Sequence, residues 1–149
     1  MIPFSQAEDE YSNFDATYKL YEMERKEVIF DNLNLTGEEA QKFWPIYNTY
    51  RVQINDEVKG LIELLQPLTK DMSGISNVKA ESIVKRAIDL EAKHYKVYKE
   101  HILDLKSKSI LSGTKLLRYY QLEVELIAAF KNNLSSMVPL VIIKKDNTE

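Results

Sequence analysis

From Phe14 onward the apolar residues recur every three or four positions, the period of a helix and not of a strand. Phe14, Tyr18, Tyr21, Arg25 and Val28 mark a first helix that should end near Asn32 to Asn34. Ahead of it, residues 1–13 are acidic and patternless and are expected to be flexible. The second helix has the sharpest start. Thr36 can cap it, and Glu39, three residues on, can reach back to the cap's own N–H. Phe43, Tyr47, Tyr50, Ile54, Val58, Leu61 and Leu65 form its stripe, and Pro67 stops it, so the helix is predicted over Gly37 to Gln66, roughly 45 Å of rod. Pro45 cannot donate to the carbonyl of Gln41, which predicts a kink around Gln41 to Pro45. A start at Pro45 itself would avoid the kink but would leave the capping box idle.

Residues 68–76 hold Asp71, Ser73, Gly74 and Ser76 and read as a loop. A third helix follows from about Asn77 to Lys108, with Val84, Ile88, Glu91, Tyr95, Tyr98, Ile102 and Leu105 in heptad spacing. The second and third helices should thus form a long antiparallel hairpin. The fourth opens at Ser112, carries Leu116, Tyr120, Val124, Ile127, Phe130 and Leu134, and ends before Pro139. The apolar tail from Val138 to Ile143 either folds back on the bundle or docks on a partner, and residues 144–149 are expected to be disordered. The fold class is therefore all-α: an elongated, hairpin-based four-helix domain over residues 14–143.

Composition narrows the function. Four Gly and four Pro in 149 residues are too few turn-formers for a many-stranded sandwich. Residues 1–40 carry ten acids and three bases, a charge of −7, whereas residues 41–149 carry thirteen acids and seventeen bases, a charge of +4. Neither part concentrates the positive charge that nucleic acid binding demands, so no nucleic acid partner is expected. With no cysteine, thiol catalysis, disulfides and Cys-based metal sites are excluded. No apolar run reaches the roughly 18 residues of a membrane span. Met1 to Glu10 has neither the basic start nor the apolar core of an export signal.

The chain also echoes itself. Leu35-Thr36-Gly37 returns as Leu111-Ser112-Gly113, 76 residues later, and at the same offset Lys42, Phe43 and Trp44 meet Arg118, Tyr119 and Tyr120. Each copy sets a leucine, a capping hydroxyl and a glycine at a helix start, with an aromatic pair about two turns in. The echo suggests that the first and second helices meet at a corner comparable to that of the third and fourth.

The segment Leu35-Thr36-Gly37-Glu38-Glu39, continuing through Phe43-Trp44-Pro45-Ile46-Tyr47, resembles the LTxxQ motif of the Spy/CpxP-like bacterial envelope proteins, most of all their F-W-P-x-Y relatives. Leu111-Ser112, then Tyr119-Tyr120 and Val138-Pro139-Leu140-Val141, look like the same relatives. The resemblance spans roughly residues 20–142. It implies a hairpin-based fold that commonly forms an antiparallel homodimer, export to the periplasm, and a role in envelope stress through chaperoning or sensing. Some members bind heavy metals. Glu39 stands where the motif has Gln, and Lys115 stands at the matching place in the second copy.

Candidate chemistry is sparse. Glu91-Ala92-Lys93-His94 supplies one Glu-x-x-His, but Tyr98 stands where His101 would need its glutamate, so a di-metal bundle is half absent. His94, His101 and Glu91 remain weak metal candidates, with solvent-facing or core-edge histidines as the simpler reading. Glu91 in an apolar stripe must pair across helices, set a dimer seam or serve a function. No nucleophilic triad, phosphate-cradling loop or paired-carboxylate cleft stands out, so neither catalytic residues nor a cofactor are expected. The tyrosines either pack the core or form a wet aromatic surface. On the resemblance, the expected partner is unfolded or partner polypeptide, met by Tyr50 and by Lys85, Lys93, Lys96 and Lys99. A metal-binding or enzymatic bundle, or a subunit for one dedicated partner, is the alternative.

Overall fold

A computed structural model describes residues 4–69 and 74–143. Among these residues there are four helices and no strand: α1 (Phe4–Leu33), α2 (Gly37–Leu65), α3 (Asn77–Ser107) and α4 (Gly113–Met137), with one 3-10 turn, Gln66–Thr69, after α2. The expected tail at 144–149 lies outside the described residues, as do positions 70–73 of the expected loop.

The boundaries of α2, α3 and α4 fall within a residue or so of the predicted ones, because each start carries a local signal. Thr36 accepts from the Glu39 N–H while the Glu39 carboxylate accepts from the Thr36 N–H, so the capping box is made and the helix does not wait for Pro45. Ser76 caps α3 through the Lys79 N–H. α1 is the correction. It begins at Phe4, ten residues before any apolar period appears. Residues 5–13 contain neither Gly nor Pro, and extending an existing helix costs far less than nucleating one.

α1 and α3 run toward one end of the bundle, α2 and α4 away from it, and the connections Asn34–Thr36 and Lys108–Ser112 lie together there as two corners. Each corner uses a left-handed residue, Asn34 (φ 51°) in one and Ser109 (φ 54°) in the other, and Gly113 (φ 56°) follows at the start of α4. The α2–α3 hairpin is the most extensive helix pair, α1 packs along α4, and α3 meets α4 only briefly.

The core is centred on the corner end and continues along α2 through Val58 and Ile62 to Tyr98 of α3. Ile29 and Leu33 of α1, Phe43, Tyr47, Tyr50 and Ile54 of α2, Leu105 of α3, Ile110, Leu111 and Tyr119 are all buried in one cluster. Phe43 stacks edge-on against Trp44 (5.0 Å) and Tyr119 (5.2 Å), which joins the two echo copies by their aromatics.

Two predicted stripes are turned by about one residue. α3 presents Leu90, Tyr98, His101 and Leu105 to its neighbours, whereas Val84 (58% exposed), Ile88 (59%) and Tyr95 (65%) face outward. In α4, Tyr119, Glu123 and Leu134 are buried and Tyr120 and Val124 exposed. In both helices the true inner face contains polar residues, which an apolar count passes over.

Candidate functional site

The bundle is packed at the corner end and split at the other, and the chemistry of the two ends differs. At the packed end Arg25 of α1 and Glu123 of α4 are both fully buried and form a bidentate ion pair, with Arg25 Nη1 donating to Glu123 Oε1 at 2.7 Å. Tyr119 donates to the same carboxylate at 2.7 Å and Tyr50 at 3.2 Å, while Tyr47 accepts from Arg25 at 3.2 Å. Burial pushes the Glu123 carboxyl up, but the Arg25 pair outweighs it and holds the group below its ordinary range. Since the Tyr119 proton goes to Glu123, the 2.6 Å contact between His101 Nε2 and Tyr119 Oη fixes His101 as the Nε2–H tautomer, donating to the phenol. The imidazole lies flat on Tyr50, with centroids 4.0 Å apart. Desolvation pushes its pKa down to about 4.

Beside this network, Arg51 is clamped by Glu22, Tyr18 donates to Asn55 at 2.6 Å, and Tyr21 donates to the Leu126 carbonyl at 2.9 Å. These bonds tie α1 to α2 and α4. Below them the helix pairs separate. Tyr98 of α3 and Tyr120 of α4 stack at 6.4 Å where the fork begins. From there a cleft of about 810 Å³ opens between α2, α3 and α4, lined by Leu61, Leu65, Leu68, Leu90, Ile127 and Leu134, with Val138 to Val141 at its rim. The size is that of ligand-binding pockets. At its inner wall two buried polar atoms, His94 Nε2 and Tyr98 Oη, have no hydrogen-bond partner. Desolvation, then the nearby charges of Arg51, Lys131 and Arg25, pushes the His94 pKa down to about 4.

The two echo copies meet in space. Glu39 and Lys115, the positions where the chain departs from the motif's glutamine, form an ion pair at 2.5 Å. That contact, led by the lysine's hydrogen bond, lowers the Glu39 pKa. The echo is imperfect at its caps, since the Ser112 side chain makes no capping bond. Trp44 is half-buried over Phe30, with the Lys26 ammonium 5.2 Å from its ring, and α2 runs through Pro45 as one helix.

The candidate metal ligands are not assembled. His101 is taken by Tyr119, His94 sits seven residues earlier on the cleft wall, and Glu91 is exposed on the cleft's edge with no ion pair. Among the described residues no three His, Asp or Glu side chains converge on one point. Of the residues expected to meet polypeptide, Tyr50 is buried in the network and cannot. Lys85, Lys96 and Lys99 are exposed, and Lys93 is paired at 2.6 Å with the buried Glu57. Sequence reasoning missed Arg25 with Glu123, and Tyr98 with His94, as functional pairs. Arg25 stood in the predicted stripe of α1 and His94 among the metal candidates, but a polar residue within a stripe was weighed for a role only at Glu91 and the two histidines.

No helix among the described residues is long and apolar enough to cross a membrane. Comparison of the chain with family models, with curated proteins and with solved structures gave no match.

Proposed function

We propose that this protein is a non-catalytic binding protein of the Spy/CpxP-like type, which holds apolar segments of other polypeptides in the split end of its bundle. Acting in the periplasm, it would serve as an ATP-independent chaperone or as a sensor of envelope stress. The observation that carries the reading is the open apolar cleft, about 810 Å³, together with the unpartnered residues beside it. Tyr95 on α3 and Tyr120 and Val124 on α4, which line the cleft, and Val84 and Ile88 on the outer face of α3 are 44% to 65% exposed, in helical spacing. Contiguous exposed apolar surface of this kind marks interaction sites. The exposed lysines of α3 add charge contact that suits loose capture, and capture should weaken with salt. By the same resemblance we propose a homodimer, which sedimentation measures directly.

The test is suppression of aggregation of an unrelated denatured protein at stoichiometric amounts, without ATP, by the wild type and by Tyr120→Lys/Val124→Lys, both of which line the cleft. We expect suppression by the wild type and its loss in the variant, with the helical circular dichroism of both unchanged. Equal activity of the two proteins would remove the cleft from the mechanism. No suppression by the wild type would favour the subunit with one dedicated partner. A stoichiometric metal requirement, abolished by His94→Ala, would favour the metal-binding or enzymatic bundle instead.

A further inference from the structure

The reading above leaves open what kind of segment the cleft selects. Three features bear on it. The cleft runs along α2 from Arg51 to Leu68, about 26 Å at the helical rise, and it is open along its side. Its α4 wall presents Tyr120, Val124, Ile127 and Lys131, spaced four, three and four, and its α3 wall presents Ala87, Glu91, His94 and Tyr98. Two walls of ridges at that spacing receive a third helix, as helix-in-groove recognition requires.

The second feature is the orphaned pair. Tyr98 is only 9% exposed, and its hydroxyl has no acceptor; His94 Nε2 beside it has no partner either. A buried hydroxyl left unpaired is costly, and a ligand that supplies the absent acceptor recovers that cost. The third is charge. Arg25, Arg51 and Lys131 all act on His94, from α1, α2 and α4. Arg25 is neutralised by Glu123, Arg51 by Glu22, and the cleft's Glu57 by Lys93. Among the described residues that leaves Lys131 on one wall and Glu91 at the opposite edge as the charges in the cleft without an ion pair.

Resting on the polypeptide reading, we propose that the cleft selects an amphipathic helical segment with one acidic side chain within its apolar face. The carboxylate accepts from the Tyr98 hydroxyl and from His94, with the Lys131 ammonium as the nearby free cation. Glu91 at the rim disfavours a second acidic residue one turn toward the open end.

The experiment uses capped synthetic helical peptides of about 18 residues, the length of the cleft. Each has leucine at three-four spacing and carries Glu, Gln or Lys at one central position of the apolar face. The full chain is titrated with each, and with laurate as a single-chain amphiphile. The Glu peptide should bind tenfold or more tighter than the Gln peptide, the order of a charge-assisted hydrogen bond, with the Lys peptide weakest. Lys131→Met should shrink the Glu-over-Gln ratio while leaving the Gln peptide's affinity unchanged, and Tyr98→Phe should shrink it by weakening the Glu peptide more than the Gln peptide, whose amide oxygen also accepts from the hydroxyl. Tyr98→Phe removes only an unpaired hydroxyl, so its folding is not at risk. Equal binding of the Glu and Gln peptides, or a ratio that survives both variants, would overturn the carboxylate and leave the polypeptide cleft standing. Binding of laurate with no peptide bound would overturn both.

Discussion

The two ends of this bundle are built from the same four helices and nearly the same residue types, yet they resolve their polar groups in opposite ways. At the corner end Glu123 collects hydrogen bonds from Arg25, Tyr50 and Tyr119, and His101 is satisfied by Tyr119; among the described residues Arg25 Nε is the one buried side-chain atom there without a partner. At the split end His94 and Tyr98, one turn apart on the same helix, have none. A polar network that is satisfied fixes one packing of the helices, whereas an unsatisfied one is a standing demand for a partner. The comparison places the change from satisfied to unsatisfied polar groups at the contact of Tyr98 with Tyr120.

The largest effect that could break this contrast is removal of Glu123. Glu123→Ala leaves Arg25 buried and unpaired, and should destabilise the fold by about 3–5 kcal/mol in urea denaturation. Adding Arg25→Met should recover much of that loss, because the stranded charge goes with it. If Glu123→Ala costs under about 1 kcal/mol, the size of an exposed pair, the packed end is wetter than its geometry, and the distinction between the ends fails.

Acid should test both ends at once. His94 and His101 are held neutral, with pKa values pushed from 6.5 down to about 4 by burial. The unfolded chain takes up protons as pH falls through 6.5, but the folded chain does not until about 4. Their contribution is therefore whole above the unfolded value and lost across that window as pH falls. Each histidine adds a slope of at most about 1.4 kcal/mol per pH unit. Glu123, with its lowered pKa, adds further loss only below the ordinary carboxylate range. His101→Gln and His94→Gln should each flatten the slope between pH 6.5 and 4 by up to one proton. A slope that His94→Gln leaves unchanged would place water around that ring.

A smaller effect separates the two corners of the packed end. Thr36→Ala breaks a complete capping box and should cost about 1 kcal/mol. Ser112→Ala removes a side chain that makes no capping bond, and should stay within the ordinary surface range of about 0.5 kcal/mol. Equal costs from matched denaturation curves would mean that the Ser112 hydroxyl caps α4 after all.

That corner also indicates what could be read from the chain. The cap at Thr36, the span of α2 and the hairpin of α2 with α3 were legible, because capping boxes and helical periods are local. The opposite charges at the matching echo positions, Glu39 and Lys115, stood in the sequence and turned out to be paired. The inner faces of α3 and α4 were not legible. Arg25 stood in the predicted stripe of α1, but its partner Glu123 lies 98 residues away and nothing local names it, and a core face containing Glu123, His94 and His101 scores as polar. The apolar stripe of α3 at Val84, Ile88 and Tyr95 was real, but it belongs to the outward face. The cleft was illegible for a related reason: it exists because two helix pairs diverge, and no residue encodes a divergence by itself. The early start of α1 had no signal, since Ser5 to Asn13 carries no apolar period.

The smallest expected effect, that of Tyr98→Phe, is sharpest beside that of Tyr119→Phe, because one substitution can be made at both ends. Tyr119→Phe deletes the hydroxyl that donates to Glu123 and accepts from His101, so two buried groups each lose a partner. A loss of about 1–3 kcal/mol follows from leaving buried polar groups unsatisfied. Tyr98→Phe deletes a hydroxyl that has no partner, from a ring that keeps its stack on Tyr120. It removes only a desolvated group, so stability should be unchanged within about 0.5 kcal/mol or rise slightly. Denaturation midpoints of the two variants, taken at pH 7.0 with the slopes compared, decide the matter. A Tyr98→Phe loss as large as that of Tyr119→Phe would mean that the Tyr98 hydroxyl already has a partner inside the protein. The split end would then be part of the structural network, with no unmet hydrogen bond to offer a ligand.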